Sequence, residues 1–129
     1  MSTAFDATIP GTALGIRQVR HAMAGIAHEC GMDANGIADV RLAVTEAATN
    51  AVMHAYAETE GDLRVTATIR EGQLAIVVAD AGPGLVERED SPGLGVGLAI
   101  MASVSERFRV VSHPGGTEVH MAFRCPNAA

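Results

Sequence analysis

The sequence contains no lysine, and all nine of its basic residues are arginine. A Walker A loop places a lysine on the nucleotide phosphates, so this class of nucleotide site is excluded. Schiff-base chemistry needs a lysine amine and is excluded for the same reason. Any basic side chain that binds a phosphate in this protein would have to be an arginine.

Aromatic residues are also scarce, with three Phe, one Tyr and no Trp, so the core must be built from aliphatic side chains. The two cysteines, Cys30 and Cys125, provide no disulfide framework and do not have the spacing of a metal site. The five histidines are scattered and form no HxxxH or Cys/His cluster. We therefore expect reduced thiols and no structural metal.

No apolar run approaches the length of a membrane span, and the first residues lack the basic region of a signal peptide. The net charge of −6 argues against nucleic acid as the main partner. We expect a cytoplasmic protein that contacts neither membrane nor nucleic acid directly. A length of 129 residues fits one domain, 1–129, with a substantial core.

The hydrophobic pattern predicts an α+β protein. Alternating apolar residues indicate strands, and apolar residues at helical spacing indicate helices. The first helix should run from about Thr12 to Cys30 with Gly31 as its C-terminal cap residue, and Asp33 should cap the second. The inward positions of the first helix are predicted to be Leu14, Val19, Met23, Ile26 and Ala27. The predicted order is strand 3–9, helices 12–30 and 33–57, hairpin 63–70 with 73–80, helix 95–103, and hairpin 107–112 with 117–124.

Strands and helices do not alternate strictly along this order. The clustered hairpins and helices predict a two-layer α/β sandwich, with a mixed, mostly antiparallel sheet and the helices on one face.

Within the second helix, Glu46 and Asn50 lie four residues apart and therefore on one face. An amide oxygen can bind a hard cation such as Mg²⁺, and a carboxylate can accept a proton or orient a hydroxyl. Such pairs are also common on solvated helix flanks, so this pair alone does not define a site.

Two glycine clusters follow the central hairpin. Asp80 ends an apolar strand and precedes Gly82 and Gly84, which would let the backbone approach a flat ring while the carboxylate accepts a hydrogen bond from an exocyclic amine. Further on, Gly93, Gly95 and Gly97 open a helix, where backbone N–H groups can bind phosphate without a lysine. Each cluster alone could be simple turn chemistry.

Taken together, these residues point to one ligand. Asp80 would contact the base, Asn50 the metal and the amides of 93–97 the phosphates. Thr117 opens the last strand after Gly115 and Gly116 and would add a polar contact near the base.

The combination of ExxxN in a helix, DxGxG after a strand, GxGxG before a helix and GT at a late strand resembles the GHKL (Bergerat-fold) ATP-binding superfamily. The segment TEAATNAVMHAY, the short interval between Gly84 and Gly93, and the closing GGTEVHMAF are similar to the bacterial anti-sigma-factor serine kinases. The resemblance covers nearly the whole chain.

The resemblance implies binding of Mg²⁺ and ATP, homodimer formation, capture of a sigma factor, and phosphorylation of a serine on a STAS-domain antagonist. It implies that Glu46 is the general base and that Asn50 is the Mg²⁺ ligand. It implies further that Asp80, Gly82, Gly84 and Thr117 form the adenine pocket, and that the phosphate lid contains Gly93, Gly95 and Gly97.

One departure from the family pattern bears on phosphate handling, and therefore on the turnover of the kinase reaction. Some of these kinases carry an arginine just before the lid glycines, where this chain has Ser91 and Pro92. An ATP-binding regulator that sequesters its partner without kinase activity is therefore the alternative. A gyrase-like ATPase module fits poorly because a transducer domain would be expected after Ala129. A small scaffold whose glycines only turn corners would bind no nucleotide.

Overall fold

A computed structural model describes residues 2–55, 61–82 and 94–127. Its elements are β1 (Ser2–Pro10), α1 (Ala13–Glu29), α2 (Ala34–Asn50), a π-helical turn (Ala51–Ala55), β2 (Asp62–Arg70), β3 (Gln73–Asp80), α3 (Leu94–Val104), β4 (Arg107–His113) and β5 (Gly116–Arg124). Within these residues, no helix is both long and apolar enough to span a membrane.

The five strands form one sheet in the order β1-β2-β3-β5-β4. Every neighbouring pair is antiparallel, so the sheet is not mixed as predicted. The hairpin between β2 and β3 turns at Glu71 and Gly72, as the sequence predicted. The predicted α+β class and two-layer arrangement are confirmed.

The core lies between one face of the sheet and the helices. Successive residues of a strand point to opposite faces, so the alternating apolar positions of β2, β3 and β5 all point toward the helices. The helices contribute apolar side chains at helical spacing to the same layer. The largest fully buried side chains are those of Val19, Met23, Cys30, Val40, Val44, Leu63, Val65, Leu74, Ile76, Met101 and Met121.

Local capping fixes where the first two helices begin and end. The Asp33 carboxylate accepts a hydrogen bond of 2.8 Å from the Gly36 N–H, which confirms the predicted cap of α2. The Thr12 hydroxyl accepts the Gly15 N–H at 3.1 Å and caps α1 in the same way. After α1, Gly31 has φ 84°, the left-handed conformation that the predicted helix end requires.

The prediction that Leu14 faces inward is wrong, because its side chain is 59% exposed. The neighbouring Gly15 is the buried residue at this end of α1. A Cβ at Gly15 would lie 2.0 Å from the Pro10 carbonyl oxygen, so only glycine allows the helix to approach β1 this closely. One residue is about 100° of rotation on a helix, which turns Leu14 away from the core.

The second helix also differs from the prediction at its C-terminal end. The α-helical hydrogen bonding stops at Asn50 and gives way to the π-helical turn Ala51–Ala55. The rest of the segment predicted as helix, 56–57, lies outside the described residues.

Candidate nucleotide site

The described site residues lie at one end of the sandwich. The C-terminal end of α2 and the first turn of α3 form the helical side of this end. On the sheet side, Asp80 ends β3 and is paired with Thr117 near the start of β5. The fold thus brings together two pairs of residues that are far apart in sequence.

Asn50 and Gly97 form the helical pair. A Cβ at Gly97 would lie 2.6 Å from Asn50 Nδ2 and 3.0 Å from its Oδ1, so the carboxamide lies directly against the α3 backbone. This contact requires a residue without a side chain at position 97, because the amide occupies the space that a methyl group would need.

The Asn50 side chain has an unused hydrogen-bonding group. Its Nδ2 atom is buried and has no hydrogen-bond partner among the residues that the structure describes. Such buried atoms are uncommon because each costs the desolvation energy of the group. A buried amide nitrogen without a partner at a helix end fits a site in which a bound group accepts its hydrogen bond. A half-turn about χ2 would exchange the nitrogen and the oxygen, and the oxygen would then be placed to bind a cation.

The described residues contain no group of three or more His, Cys, Asp or Glu that could hold a metal by itself. Mg²⁺ commonly takes only one or two protein ligands and completes its octahedron with water and substrate phosphates. A single Asn50 oxygen is therefore compatible with magnesium that arrives with a nucleotide.

Asp80 forms the sheet-side pair with Thr117. Its side chain is half-buried and accepts a hydrogen bond of 2.9 Å from the Gly82 N–H. Burial raises the pKa of the Asp80 carboxyl, and this effect outweighs the backbone N–H groups of Gly82 and Thr117 and the nearby His113, which all lower it. A partly desolvated carboxylate at a strand end can accept a hydrogen bond from a ligand amine.

Thr117 is only 5% exposed. It is polar, whereas the other buried side chains of the described residues are hydrophobic. The preceding Gly116 has φ 148°, and a Cβ there would lie 2.0 Å from the Asp80 carbonyl oxygen. Gly116 therefore lets β5 approach β3 closely enough to place Thr117 beside Asp80.

The prediction did not assign a role to Gly116 or to His113. The two consecutive glycines before Thr117 are the available signal, because glycine permits the close approach of two backbones. His113 lies at the end of β4, and its Nδ1 accepts the Gly115 N–H at 3.2 Å. Its influence on Asp80 follows from strand pairing, which a pattern of residue types does not specify.

Glu46 is half-buried on α2, one turn before Asn50. It has no hydrogen bond or ion pair with any residue in the described part of the chain. A carboxylate in this state is available to a ligand or partner, and its role as a base stays a prediction.

The glycines of the second cluster lie differently from the prediction. α3 begins at Leu94, so Gly95 and Gly97 belong to its first turn and do not precede the helix. The Asn50 carboxamide lies against the Gly97 backbone, in the space that a Cβ at position 97 would occupy. Gly84 and Gly93, together with Ser91 and Pro92, lie outside the described residues.

Comparison with known proteins gives one matching family and several named relatives. The histidine kinase-like ATPase domain family matches residues 9–123. An anti-sigma F factor from Pasteuria penetrans is 40% identical over 99 residues, which cover 66% of this chain and 66% of that protein. The serine-protein kinase RsbW of Bacillus thuringiensis (strain Al Hakam) is 39% identical over 74 residues, covering 57% of this chain and 46% of the relative.

Solved structures of related domains have a similar fold. The RsbU and RsbW domains of a Mycobacterium tuberculosis protein superpose with a TM-score of 0.74 at 28% identity, covering 93% of this chain and 32% of that one. The histidine kinase domain of a blue-light activated kinase from Erythrobacter litoralis has a TM-score of 0.62 at 22% identity over 87% of this chain and 60% of its own. The second of these similarities concerns the fold alone.

The chain spans less than two thirds of the length of each of the two sequence relatives, at 66% and 46%. The family match, in contrast, extends from β1 to β5 and includes both described residue pairs of the site. The resemblance identified from the sequence motifs is thereby confirmed, and the chain belongs to the histidine kinase-like ATPase domain family.

Proposed function

We propose that this protein is an anti-sigma-factor serine kinase that binds ATP with Mg²⁺. The observation that carries the proposal is the buried amide nitrogen of Asn50, which has no hydrogen-bond partner among the described residues and lies against the first turn of α3, in a chain of an ATPase family. Asn50 would bind the magnesium ion, and Asp80 with Thr117 would bind the adenine. Gly82 and Gly84 would shape the adenine pocket, and the phosphate lid would comprise Gly93, Gly95 and Gly97.

Phosphoryl transfer depends mainly on positioning and on neutralising charge. The magnesium ion, when bound, would neutralise phosphate charge. Backbone N–H groups at the start of α3 would donate hydrogen bonds to phosphate oxygens, as helix N-termini do. Glu46 would accept the proton of an incoming serine hydroxyl, and its lack of a partner in the described structure leaves it available.

The names of the relatives support the proposed partners. One is an anti-sigma factor and another is a serine-protein kinase. We propose that this protein captures a sigma factor and phosphorylates a serine of a STAS-domain antagonist. We propose further that it is cytoplasmic, that residues 1–129 form a single domain, and that two copies of the chain form a homodimer. Sedimentation of the purified protein would test the homodimer.

The experiment that tests the kinase proposal is transfer of labelled γ-phosphate from ATP to a serine-bearing STAS-domain protein. Glu46→Gln should abolish transfer and leave nucleotide affinity largely intact, because the neutral amide cannot take the proton. Asp39→Asn is the matched control, since it removes a carboxylate from the same helix two turns earlier. Transfer by Glu46→Gln at the wild-type rate would exclude Glu46 as the base.

A second candidate function is sequestration of a partner by an ATP-bound protein that does not transfer phosphate. It is favoured by the sequence departure at Ser91 and Pro92, where some related kinases carry an arginine. Tight Mg²⁺-dependent ATP binding together with no label on the STAS-domain protein would support this function over the first.

A further inference from the structure

The two cysteines of the chain lie close together in the fold although they are far apart in sequence. Cys30 follows α1 and Cys125 follows β5, with a separation of 95 residues. Both are free thiols, and both are buried. The Cys125 thiol donates a hydrogen bond to the Cys30 carbonyl oxygen, with Sγ 3.8 Å from that oxygen. The fold therefore brings the only two thiols of the chain to one place.

The two thiol groups also interact with each other. Burial raises the pKa of Cys30, and a hydrogen bond with the Cys125 thiol raises it further. Each thiol is thus the neighbour of the other in a buried environment that keeps Cys30 protonated. In the closed, reduced protein this pair is a poor nucleophile.

Residues 125–127, which we call the C-terminal tail, are hydrogen-bonded to the end of α1 and to the central hairpin. The Asn127 N–H donates to the Cys30 carbonyl oxygen at 3.0 Å, and Asn127 Nδ2 donates to the Glu29 carbonyl oxygen at 3.1 Å. The Cys125 N–H donates to the Gly72 carbonyl oxygen at 2.8 Å. The last carbonyl groups of a helix have no partner within it, and the tail supplies partners to two of those at the end of α1.

The packing of Asn127 fixes the position of the C-terminal tail. A Cβ at Gly31 would lie 2.6 Å from Asn127 Oδ1, so the Asn127 amide fills the space beside the end of α1. Cys125 is two residues before Asn127 and is therefore held next to Cys30. Two reacting groups that are held together in this way react as if each were at a very high concentration.

We propose that Cys30 and Cys125 are a redox pair that forms an intramolecular disulfide when a low-molecular-weight disulfide, such as oxidised glutathione, is the oxidant. The bond joins the C-terminal tail covalently to the end of α1. Because the chain has no further cysteine, this is the one pairing that is possible within a single chain.

The reaction is two successive thiol–disulfide exchanges. One cysteine, as its thiolate, attacks a sulfur of oxidised glutathione, which forms a mixed disulfide and releases one glutathione thiolate. The second cysteine then attacks the protein sulfur of the mixed disulfide and releases the other. The protein loses two electrons and two protons, and oxidised glutathione becomes two molecules of the thiol. Since both cysteines are buried, the first exchange takes place when the structure opens, and refolding brings the second cysteine to the mixed disulfide.

The disulfide should favour the folded state because it closes a long loop. A bond between residues 95 apart restricts the unfolded chain strongly, whereas the folded chain already holds the two residues together. By thermodynamic linkage, folding must favour the disulfide by the same factor by which the disulfide favours folding. Native disulfides typically correspond to a factor of about 30 or more.

The experiment is to equilibrate the full chain in a defined mixture of reduced and oxidised glutathione, in native buffer and in a denaturing concentration of urea. The exchange is stopped with acid, free thiols are alkylated, and mass spectrometry gives the ratio of disulfide to dithiol. We expect this ratio to be about 30-fold or more higher in native buffer than in urea. Peptide mapping should identify a bond between Cys30 and Cys125, and the protein should migrate as a single chain on a non-reducing gel.

A variant of Asn127 tests the role of the C-terminal tail. Asn127→Ala removes the amide that packs on the end of α1, so it should lower the ratio in native buffer about threefold or more and leave the ratio in urea unchanged. Asn35→Ala is the matched control, because it removes the same side chain from an exposed position of α2. This control should leave both ratios unchanged.

Equal ratios in native buffer and in urea would overturn the proposal, because the fold would then not favour the pairing. It is also overturned if oxidation gives mainly glutathione adducts of the separate cysteines, or disulfides between two chains. Equal effects of Asn127→Ala and Asn35→Ala would contradict the positioning of Cys125 by the tail.

Discussion

Gly97 and Asn50 are in such close contact that the size of one side chain determines the position of the other. Gly97→Ala would put a methyl carbon 2.6 Å from Asn50 Nδ2, so the carboxamide has to move. We expect the affinity for ATP with Mg²⁺ to fall about tenfold, which corresponds to about 1.4 kcal/mol. Isothermal titration calorimetry measures this change.

Gly25→Ala is the control for that substitution. Gly25 also lies inside a helix, and a Cβ there would meet nothing within 4 Å. Alanine should therefore stabilise α1 by about 0.5–1 kcal/mol in urea denaturation and leave nucleotide binding unchanged. Equal nucleotide affinity in the two variants would show that the contact with Asn50 is unimportant for binding.

Replacing Asn50 by leucine separates stability from binding. The substitution removes a buried amide nitrogen that has no partner in the described structure, so the free energy of unfolding should stay the same or increase. The Mg²⁺-dependent part of ATP binding should disappear, because leucine offers no oxygen ligand. Calorimetry with and without Mg²⁺ measures it, and an unchanged difference would remove Asn50 from the metal site.

Asp80 makes stability depend on pH in a predictable direction. Burial raises its pKa in the folded state above the ordinary value of 3.8, so protonation favours the folded protein. The cost of burying the charge is absent below the unfolded pKa and grows as pH rises through the folded pKa. The stability of Asp80→Asn relative to wild type should therefore increase as pH rises from 3.8 through the folded pKa. Urea denaturation across pH measures the difference, and a decrease would contradict the assignment.

At the scale of the elements, the junction between β3 and β5 depends on one glycine. Gly116→Ala would place a methyl group 2.0 Å from the Asp80 carbonyl oxygen at a φ of 148°. We expect a loss of about 3 kcal/mol in the free energy of unfolding, because β5 must move away from β3. Nucleotide binding should be lost as well, since Thr117 would no longer lie beside Asp80.

The neighbouring Gly115 provides the control for this junction. A Cβ there would come no closer than 3.3 Å, to the ring of His113, and the position is exposed. Gly115→Ala should therefore cost less than about 0.5 kcal/mol. A similar loss at both positions would mean that general turn flexibility matters more than the close approach of the two strands.

The boundaries of most elements could be predicted because their signals are local. Asp33 caps α2, Gly31 ends α1, and Glu71 with Gly72 turns the central hairpin, as the sequence indicated. Leu14 could not be predicted correctly because the burial of Gly15 depends on how closely α1 packs against the Pro10 carbonyl at the end of β1, which the helical pattern does not show. The π-helical turn after Asn50 has no simple residue signature either.

The site likewise combines features with a local sequence signal and features that depend on packing. The residue types of Asn50, Asp80 and Thr117 were recognisable from motifs. Contacts such as Gly97 against Asn50 and Gly116 against Asp80 depend on how α3 and β5 are packed. Those distances follow from the tertiary structure, which one sequence does not specify position by position.

At the scale of the whole molecule, the two cysteines lie at the end opposite the site. Cys30 follows α1 and Cys125 follows β5, whereas Asn50 lies at the other end of α2, about 25 Å away along that helix. Both thiols are buried, and Cys125 Sγ lies 3.8 Å from the Cys30 carbonyl oxygen. Burial, together with the neighbouring Cys125 thiol, raises the pKa of Cys30 to about 12.

These thiols should therefore report on global unfolding. A thiol reagent at pH 8 should react with the native protein only as fast as the structure opens, because a buried protonated thiol is a poor nucleophile. ATP with Mg²⁺ at 100 times its Kd should slow labelling about 100-fold, which corresponds to about 2.7 kcal/mol. Asn50→Leu should show little slowing under the same conditions. Labelling that nucleotide does not slow would indicate a local opening at the cysteines.

The π-helical turn Ala51–Ala55 has a consequence for chain length. A π turn holds one residue more than the α-helical turn it replaces, so it absorbs an insertion without moving the helix before it. Deleting one residue here should restore α-helical hydrogen bonding and leave the direction of the chain after the helix nearly unchanged relative to Asn50, because the wider turn completes about the same rotation with one residue more. A one-residue difference in chain length at this point would therefore leave both the Asn50 side chain and the direction of the chain after it in place.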